Sequence, residues 1–215
     1  MNSIQDIYQK AELSEAAYAD FSNPNISPLA ALQAYGFSFT QATDFLNHWK
    51  VIAQCPNTDT GFSGTVFERL DGPNAGERYI SICGTEGSKL LNGSGEGEID
   101  IVEDIANIGA DGIAINQAID MYNWYLRLTS QQGDVKQYYY HKEETNILNQ
   151  ITQPAWIEEK IITTIENGAL YGGTKPDTVV GHSLGGHLAM TMSRLFSDIS
   201  SVTTFKVEVT GVGPR

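Results

Sequence analysis

One short stretch near the end of the chain restricts the fold more than any other. Thr178-Val179-Val180 is a β-rich run, and residues 184 to 196 have the pattern of a helix. Between them lies Gly181-His182-Ser183-Leu184-Gly185-Gly186. So tight a turn from strand to helix requires glycine at positions 181 and 185, where a side chain would collide with neighbouring backbone. The pattern therefore predicts that Ser183 is presented at the carboxyl end of a strand.

A serine in this position is suited to nucleophilic attack. A nucleophile elbow is a turn between a strand and a helix with the pattern glycine, any residue, serine, any residue, glycine. The Ser183 Oγ would attack an acyl carbon, and the helix that begins there directs free N–H groups at the developing oxyanion, the Leu184 N–H first. The alternative is a glycine-rich turn with an incidental serine, which the flanking strand and helix make the less favoured interpretation.

The first half of the chain reads as short helices followed by a hairpin. Apolar residues fall near helical spacing between Ile4 and Phe21, Pro28 to Tyr35 predicts a second helix, and Thr40 or Thr43 is predicted to cap a third. Val51 to Cys55 looks extended. Two β-rich runs, 61–70 and 78–83, are joined by a turn-forming stretch and are expected to pair as an antiparallel hairpin.

The second half alternates between helix and strand. Apolar spacing predicts an amphipathic helix from about Asp111 to Leu128. Pro154, the stripe of isoleucines that follows it and the terminator Asn167-Gly168 predict another helix, and Val202 to Val209 predicts a last strand. We therefore expect an α/β fold with a mostly parallel, helix-flanked sheet and an antiparallel hairpin on its N-terminal side, forming a single domain over residues 1–215.

Charge and composition exclude several partners. The chain has 13 Lys and Arg against 26 Asp and Glu, a net charge of −13, so nucleic acid and anionic membrane surfaces are disfavoured. No uncharged apolar run approaches the roughly 18 residues of a membrane span, so lipid contact would occur at the surface.

Charged residues throughout 1–21 disfavour a signal peptide, which leaves a cytoplasmic location or secretion by a signal-independent route. Cys55 and Cys83 are expected to be buried thiols.

Several motifs together resemble the class 3 lipases. They are Gly181 to Gly186, Ile82-Cys83-Gly84-Thr85 and the predicted short helix from Asp100. The stretches from Asp104 to Leu126 and His187-Leu188-Ala189 are also similar to the hydrolase domain of bacterial lipases with downstream calcium-binding repeats. The resemblance covers about residues 10–215. It implies an α/β-hydrolase domain that cleaves lipid esters, as a triacylglycerol lipase or a phospholipase A1-like enzyme, through an acyl-serine intermediate.

The resemblance also assigns roles to individual residues. The oxyanion hole would consist of the Thr85 N–H, with its hydroxyl, and the Leu184 N–H, and residues 86–110 would form a lid. Strand-end capping is the other interpretation of Thr85. The chemistry requires no cofactor, and only the family implies calcium. The acidic residues of 93–100 lack the spacing of an EF-hand, so we expect a solvated acidic loop there.

The general base and acid of a catalytic triad are not identified in the sequence. An imidazole must take the Oγ proton and a carboxylate must orient that imidazole, in the chain order serine, acid, histidine. After Ser183 the one histidine is His187, and the acids are Asp198 and Glu208. His187 is a weak candidate for the base, and His182, His141 and His48 are weaker ones. The segment 209–215 resembles the strand end that precedes the catalytic loop, so the domain is interpreted as truncated before its acid and base.

Two alternatives to a lipid ester hydrolase stay open. The first is an esterase or thioesterase for small substrates, with the same nucleophile but no activation at a lipid–water interface. The second is a non-catalytic lipid-binding or interaction module, or an inert fragment, which the unidentified acid and base favour. Aromatic residues at 122–125 and 138–140 are expected to be core, with an acyl-contacting surface as the alternative. The oligomeric state, the acyl chain length and the head group are left open.

Overall fold

The computed structural model describes residues 4–84 and 115–205, and these ranges contain five helices and nine strands. The helices are α1 (Ile4–Ala16), α2 (Pro28–Tyr35), α3 (Phe39–His48), α4 (Ile115–Thr129) and α5 (Leu184–Leu195). The strands are β1 (Trp49–Cys55), β2 (Gly64–Arg69), β3 (Arg78–Ile82), β4 (Gly133–His141), β5 (Glu144–Thr145), β6 (Ile151–Gln153), β7 (Trp156–Thr164), β8 (Thr178–His182) and β9 (Ser201–Phe205).

The main sheet has five strands in the order β1-β2-β3-β8-β9. β1 pairs with β2 and β2 with β3 in antiparallel fashion, which confirms the predicted hairpin. β8 lies between β3 and β9 and is parallel to both. The carboxyl ends of these three strands therefore meet at one edge of the sheet, and Ser183 directly follows the central one.

The predicted mostly parallel α/β-hydrolase sheet is wrong. Two of the four pairings in the main sheet are antiparallel, and so are the separate β4–β7 and β5–β6 pairs. The short turns between β1, β2 and β3 can join only antiparallel neighbours, whereas parallel neighbours require a crossover. Parallel pairing is therefore confined to β3, β8 and β9, which are separated in the chain by long connections.

The predicted helix from Pro154 to Asn167 is also wrong, because Trp156–Thr164 forms strand β7. β7 pairs with β4 from His141↔Trp156 to Gly133↔Thr164. Ile157, Ile161 and Ile165 are spaced by four, which suits one face of a helix and one face of a strand equally well. The β-branched composition of Ile161-Ile162-Thr163-Thr164 decides for the strand. All three of these isoleucines are more than half exposed.

Helices cover both faces of the main sheet. Val180 of β8 packs with Leu13 of α1 and Phe45 of α3 in one buried cluster. Its neighbour Val179 packs with Met121 of α4 in the other. Successive strand residues point to opposite faces, so β8 is buried on both sides. Within the described ranges no helix is both long and apolar enough to cross a bilayer.

Several local predictions are confirmed and one cap is corrected. α2 has the predicted bounds, α4 and α5 closely match the predicted helical stretches, and both cysteines are buried. α3 is capped by Ser38 and not by Thr40 or Thr43. Ser38 accepts from the Gln41 N–H while the Gln41 side chain accepts from the Ser38 N–H, a capping box that satisfies two helix-end donors.

Of the aromatic residues expected in the core, Trp124 and Tyr125 are buried, but Tyr139 is exposed.

One polar side chain fastens the segment after α1 to the sheet. Gln54 of β1 accepts from the Phe21 N–H at 2.7 Å and donates to the Ala19 carbonyl at 2.8 Å. It also donates to the Thr65 hydroxyl at 3.0 Å. Because Gln54 is partly buried, these bonds replace water that its amide would otherwise bind. The side chain therefore fixes the position of the chain that follows α1, including Tyr18.

Replacing Gln54 with leucine tests this attachment. Gln54→Leu keeps the volume but removes these hydrogen bonds and leaves the Phe21 N–H and the Ala19 carbonyl without this partner, so we expect a loss of about 2 kcal/mol in the free energy of unfolding. Urea denaturation measures it. Lys50→Leu, at an exposed position of the same strand, is the matched control. Equal midpoints for the two variants would contradict the assignment.

Candidate active site

The backbone at Ser183 has a conformation that few residues other than glycine adopt. Its φ is 55° and its ψ is −126°, between the end of β8 and the first residue of α5. The Ser183 N–H donates to the Phe205 carbonyl at 2.9 Å, and the Ser183 carbonyl accepts from the Gly186 N–H at 3.0 Å. A positive φ at a serine costs on the order of 1–3 kcal/mol and is held only where surrounding structure enforces it. Such strain is typical of functional sites.

The glycines around Ser183 are required by close contacts, as the sequence predicts. A Cβ at Gly181 would lie 2.2 Å from the Gly185 carbonyl oxygen. A Cβ at Gly185 would lie 2.2 Å from the Ile82 carbonyl oxygen at the end of β3. The two glycines therefore let the first turn of α5 approach both β8 and β3.

The Ser183 side chain is not used to cap the helix that it precedes. Serine is among the best N-cap residues, yet Ser183 makes no side-chain cap hydrogen bond to α5. The first N–H groups of a helix lack intrahelical partners and carry its positive dipole end. The Leu184 N–H is the first of them. The arrangement leaves a hydroxyl and a positive helix end beside each other, which suits attack on a carbonyl carbon.

The end of β3 lies against the Ser183 turn. A Cβ at Gly84 would be 2.6 Å from the His182 carbonyl oxygen and 3.0 Å from the Ser183 Cβ. Glycine at this position therefore allows the strand end to reach Ser183. Thr85, the predicted oxyanion residue, comes next in the chain but lies outside the described residues, as do the predicted lid 86–110 and the acidic loop 93–100.

Tyr18 joins the end of β3 to the Ser183 turn. Its hydroxyl accepts from the Gly84 N–H at 2.7 Å and lies 3.3 Å from the His182 Nδ1. Its ring stacks on Tyr35, with centroids 5.6 Å apart. The sequence does not reveal the role of Tyr18, because no local pattern distinguishes a tyrosine that lies 164 residues from its partner histidine. Its role is visible only in the fold.

Two of the four histidines pair with carboxylates away from Ser183. His48 Nδ1 lies 2.6 Å from Asp71, next to the start of β1. By the strand register this is the end of the sheet opposite Ser183. His141 Nε2 lies 2.9 Å from Glu158 in the β4–β7 pair, and its ring stacks on Trp156. These contacts give both residues roles in the local structure.

The other two histidines flank the nucleophile in sequence. His182 precedes Ser183 and faces Tyr18, as described above. His187 lies one helical turn after Ser183 and is partly buried. Of the acids that follow Ser183, Asp198 binds Lys175 at 2.8 Å, and Glu208 is outside the described residues. The general base and acid therefore stay unidentified, and His187 stays the weak candidate for the base that the sequence offers.

The described residues offer few other reactive groups. Burial raises the pKa of the Cys55 thiol to about 11, so this thiol is protonated and a poor nucleophile at neutral pH. Within residues 4–84 and 115–205 no cluster of three His, Cys, Asp or Glu side chains could hold a metal ion. Ser183 is consequently the nucleophile that the geometry favours.

A cavity of about 320 Å³ lies beside the Ser183 turn. Its walls are formed by α1 and the residues just after it, by α2, and by the ends of β8 and β9. The lining residues are Ala11, Ser14, Glu15, Tyr18, Tyr35, His182 and Phe205.

Comparison with known proteins does not identify the chain. No protein-family model, no curated protein and no solved structure matched it.

Backbone strain at Ser183 can be measured directly. Ser183→Ala removes the hydroxyl but keeps a Cβ, whereas Ser183→Gly also relieves the positive φ. We therefore expect Ser183→Gly to be the more stable variant by about 1 kcal/mol, measured by urea denaturation. The same alanine and glycine pair at Ser200, which is exposed, provides the control. If glycine were no better than alanine at position 183, the strained turn would be refuted.

Proposed function

We propose that this chain is a serine hydrolase of carboxylic esters, with Ser183 as the nucleophile and lipid esters as its substrate class. The observation that carries the proposal is the strained turn at Ser183, which follows a strand, precedes a helix and does not use its hydroxyl as a cap. Close glycine contacts on both sides maintain this turn. The proposal depends on this local geometry and not on a mostly parallel sheet.

The proposed reaction has two stages. The Ser183 Oγ attacks the acyl carbon while an imidazole takes its proton, and the Leu184 N–H binds the oxyanion that forms. Collapse of this intermediate expels the alcohol, which receives the proton, and leaves an acyl-serine. Water then releases the acid and restores the hydroxyl. Thr85 is the second oxyanion donor in this proposal, on the resemblance to class 3 lipases.

Lipid esters such as acylglycerols or phospholipids are the substrates that the resemblance supports. The second candidate function is hydrolysis of small esters or thioesters. The cavity of about 320 Å³ favours it, since it lies at the lower end of the roughly 300–1,000 Å³ typical of small-molecule sites. A marked rise in rate when a triacylglycerol passes from solution to emulsion would distinguish a lipase from such an esterase.

The first test is hydrolysis of p-nitrophenyl butyrate by the wild-type chain and by Ser183→Ala. We expect the variant to lose activity by about a thousandfold or more, because the nucleophile is removed. A fluorophosphonate probe followed by peptide mass spectrometry should place the covalent label on Ser183.

Three further variants control this test. His187→Asn should lower the rate if His187 is the base, whereas His141→Asn, in the β4–β7 pair, should not. Ser193→Ala, on the same helix as Leu184, controls for general damage to the domain. Equal rates for wild type and Ser183→Ala, together with no label on Ser183, would favour the non-catalytic interpretation.

Removal of the Tyr18 hydroxyl tests its contact with the strand end. Tyr18→Phe leaves the Gly84 N–H without its acceptor, so the β3 end beside Ser183 is less firmly held. We expect kcat for p-nitrophenyl butyrate to fall about tenfold, with a smaller change in KM, because one hydrogen bond near the reacting atoms is lost. Tyr171→Phe, at an exposed position, is the control. An unchanged kcat in Tyr18→Phe would show that the Tyr18 hydroxyl has no role in the site.

A further inference from the structure

The cavity beside the Ser183 turn is placed to receive part of a substrate. His182, adjacent to the nucleophile, and Tyr18 both line it. The Tyr18 hydroxyl and the Ser183 Cβ each lie 3.0 Å from the position that a Cβ on Gly84 would take, so the two are close neighbours. An acyl group bonded to the Ser183 Oγ would therefore have this cavity next to it.

The walls of the cavity favour an apolar and uncharged group. Tyr18, Tyr35 and Phe205 contribute aromatic surface, and Ala11 contributes a methyl group. The lining residue with a formal charge is Glu15, whose side chain is exposed to solvent. A carboxylate or phosphate would be repelled by Glu15 and would find no cation among the lining residues. An uncharged hydrocarbon chain meets no such penalty.

The size of the cavity limits the length of that chain. At roughly 30 Å³ for each non-hydrogen atom, the volume of a water molecule in the liquid, the cavity holds about ten such atoms. A hexanoyl or octanoyl group fits within this limit. A palmitoyl group exceeds it, so the end of a long chain would have to leave the cavity.

We infer that this cavity is the acyl-binding site and that it takes the uncharged hydrocarbon part of acyl groups of short to medium length. The inference rests on the proposed ester hydrolase function. It goes beyond that function because it names the selected part of the substrate and the residues that select it. In this inference, α1 and α2 form the walls that limit the length of the acyl chain.

Binding of hexanamide to the Ser183→Ala variant tests the inference without requiring catalysis. Hexanamide is an uncharged analogue of a hexanoyl ester, and ligand-observed NMR measures its dissociation constant. We expect hexanamide to bind at least about tenfold more tightly than adipic acid monoamide, whose distal carboxylate would enter the cavity beside Glu15. Ala11→Phe, which fills the cavity with a ring, should weaken hexanamide binding about tenfold or more. Ala30→Phe, at an exposed position of α2, is the matched control and should have no effect.

Cooperative thermal unfolding of each variant shows that it is folded.

Ester hydrolysis by the wild-type chain supplies the complementary measurement. We expect kcat/KM for p-nitrophenyl esters to be highest for acyl groups between butyryl and octanoyl and at least about tenfold lower for palmitoyl. Hexanamide binding that is unaffected by Ala11→Phe would overturn the acyl site while leaving the nucleophile assignment intact. Absence of any covalent label on Ser183 would overturn the proposed function, and the acyl site would fall with it.

Discussion

The close approach of the α5 N-terminus to the end of β3 is the constraint on which the rest of the site depends. Gly185 lies against the Ile82 carbonyl and Gly181 against the Gly185 carbonyl, with no space for a Cβ at either position. This contact holds Ser183 at a positive φ, brings the Leu184 N–H to the sheet edge and places Gly84 beside the nucleophile. Backbone packing, and not side-chain chemistry, therefore builds the turn.

The sequence predicts the parts of the site that are local in the chain. Strand β8, the turn and α5 lie within about twenty residues, and each glycine there has a steric reason that can be stated before the fold is known. The hairpin of β2 and β3 is predictable for the same reason, since turn chemistry is encoded locally. Tyr18 and the cavity are not predictable, because they depend on where α1 packs on the sheet.

The two fold predictions that proved wrong have different physical origins. The mostly parallel sheet was inferred from the alternation of strand and helix in one half of the chain, whereas the hairpin strands extend the same sheet with antiparallel pairs. The helix at 154–167 was inferred from isoleucines four apart, a spacing that a strand shares. Pairing with β4 outweighs any helical tendency there. Periodicity alone could not separate these alternatives.

The bond between the Tyr18 hydroxyl and the Gly84 N–H joins residues 66 positions apart in the chain. Contacts of such long sequence separation require large loops to close, and they form after local helices and hairpins. Ser183 and its glycines define the nucleophile locally, but the wall opposite them arrives only when α1 docks. The contact of Gly185 with Ile82 that holds the turn is also long-range, so the turn and the pocket are both completed late in folding, and an N-terminal deletion through Tyr18 would remove one wall of the pocket.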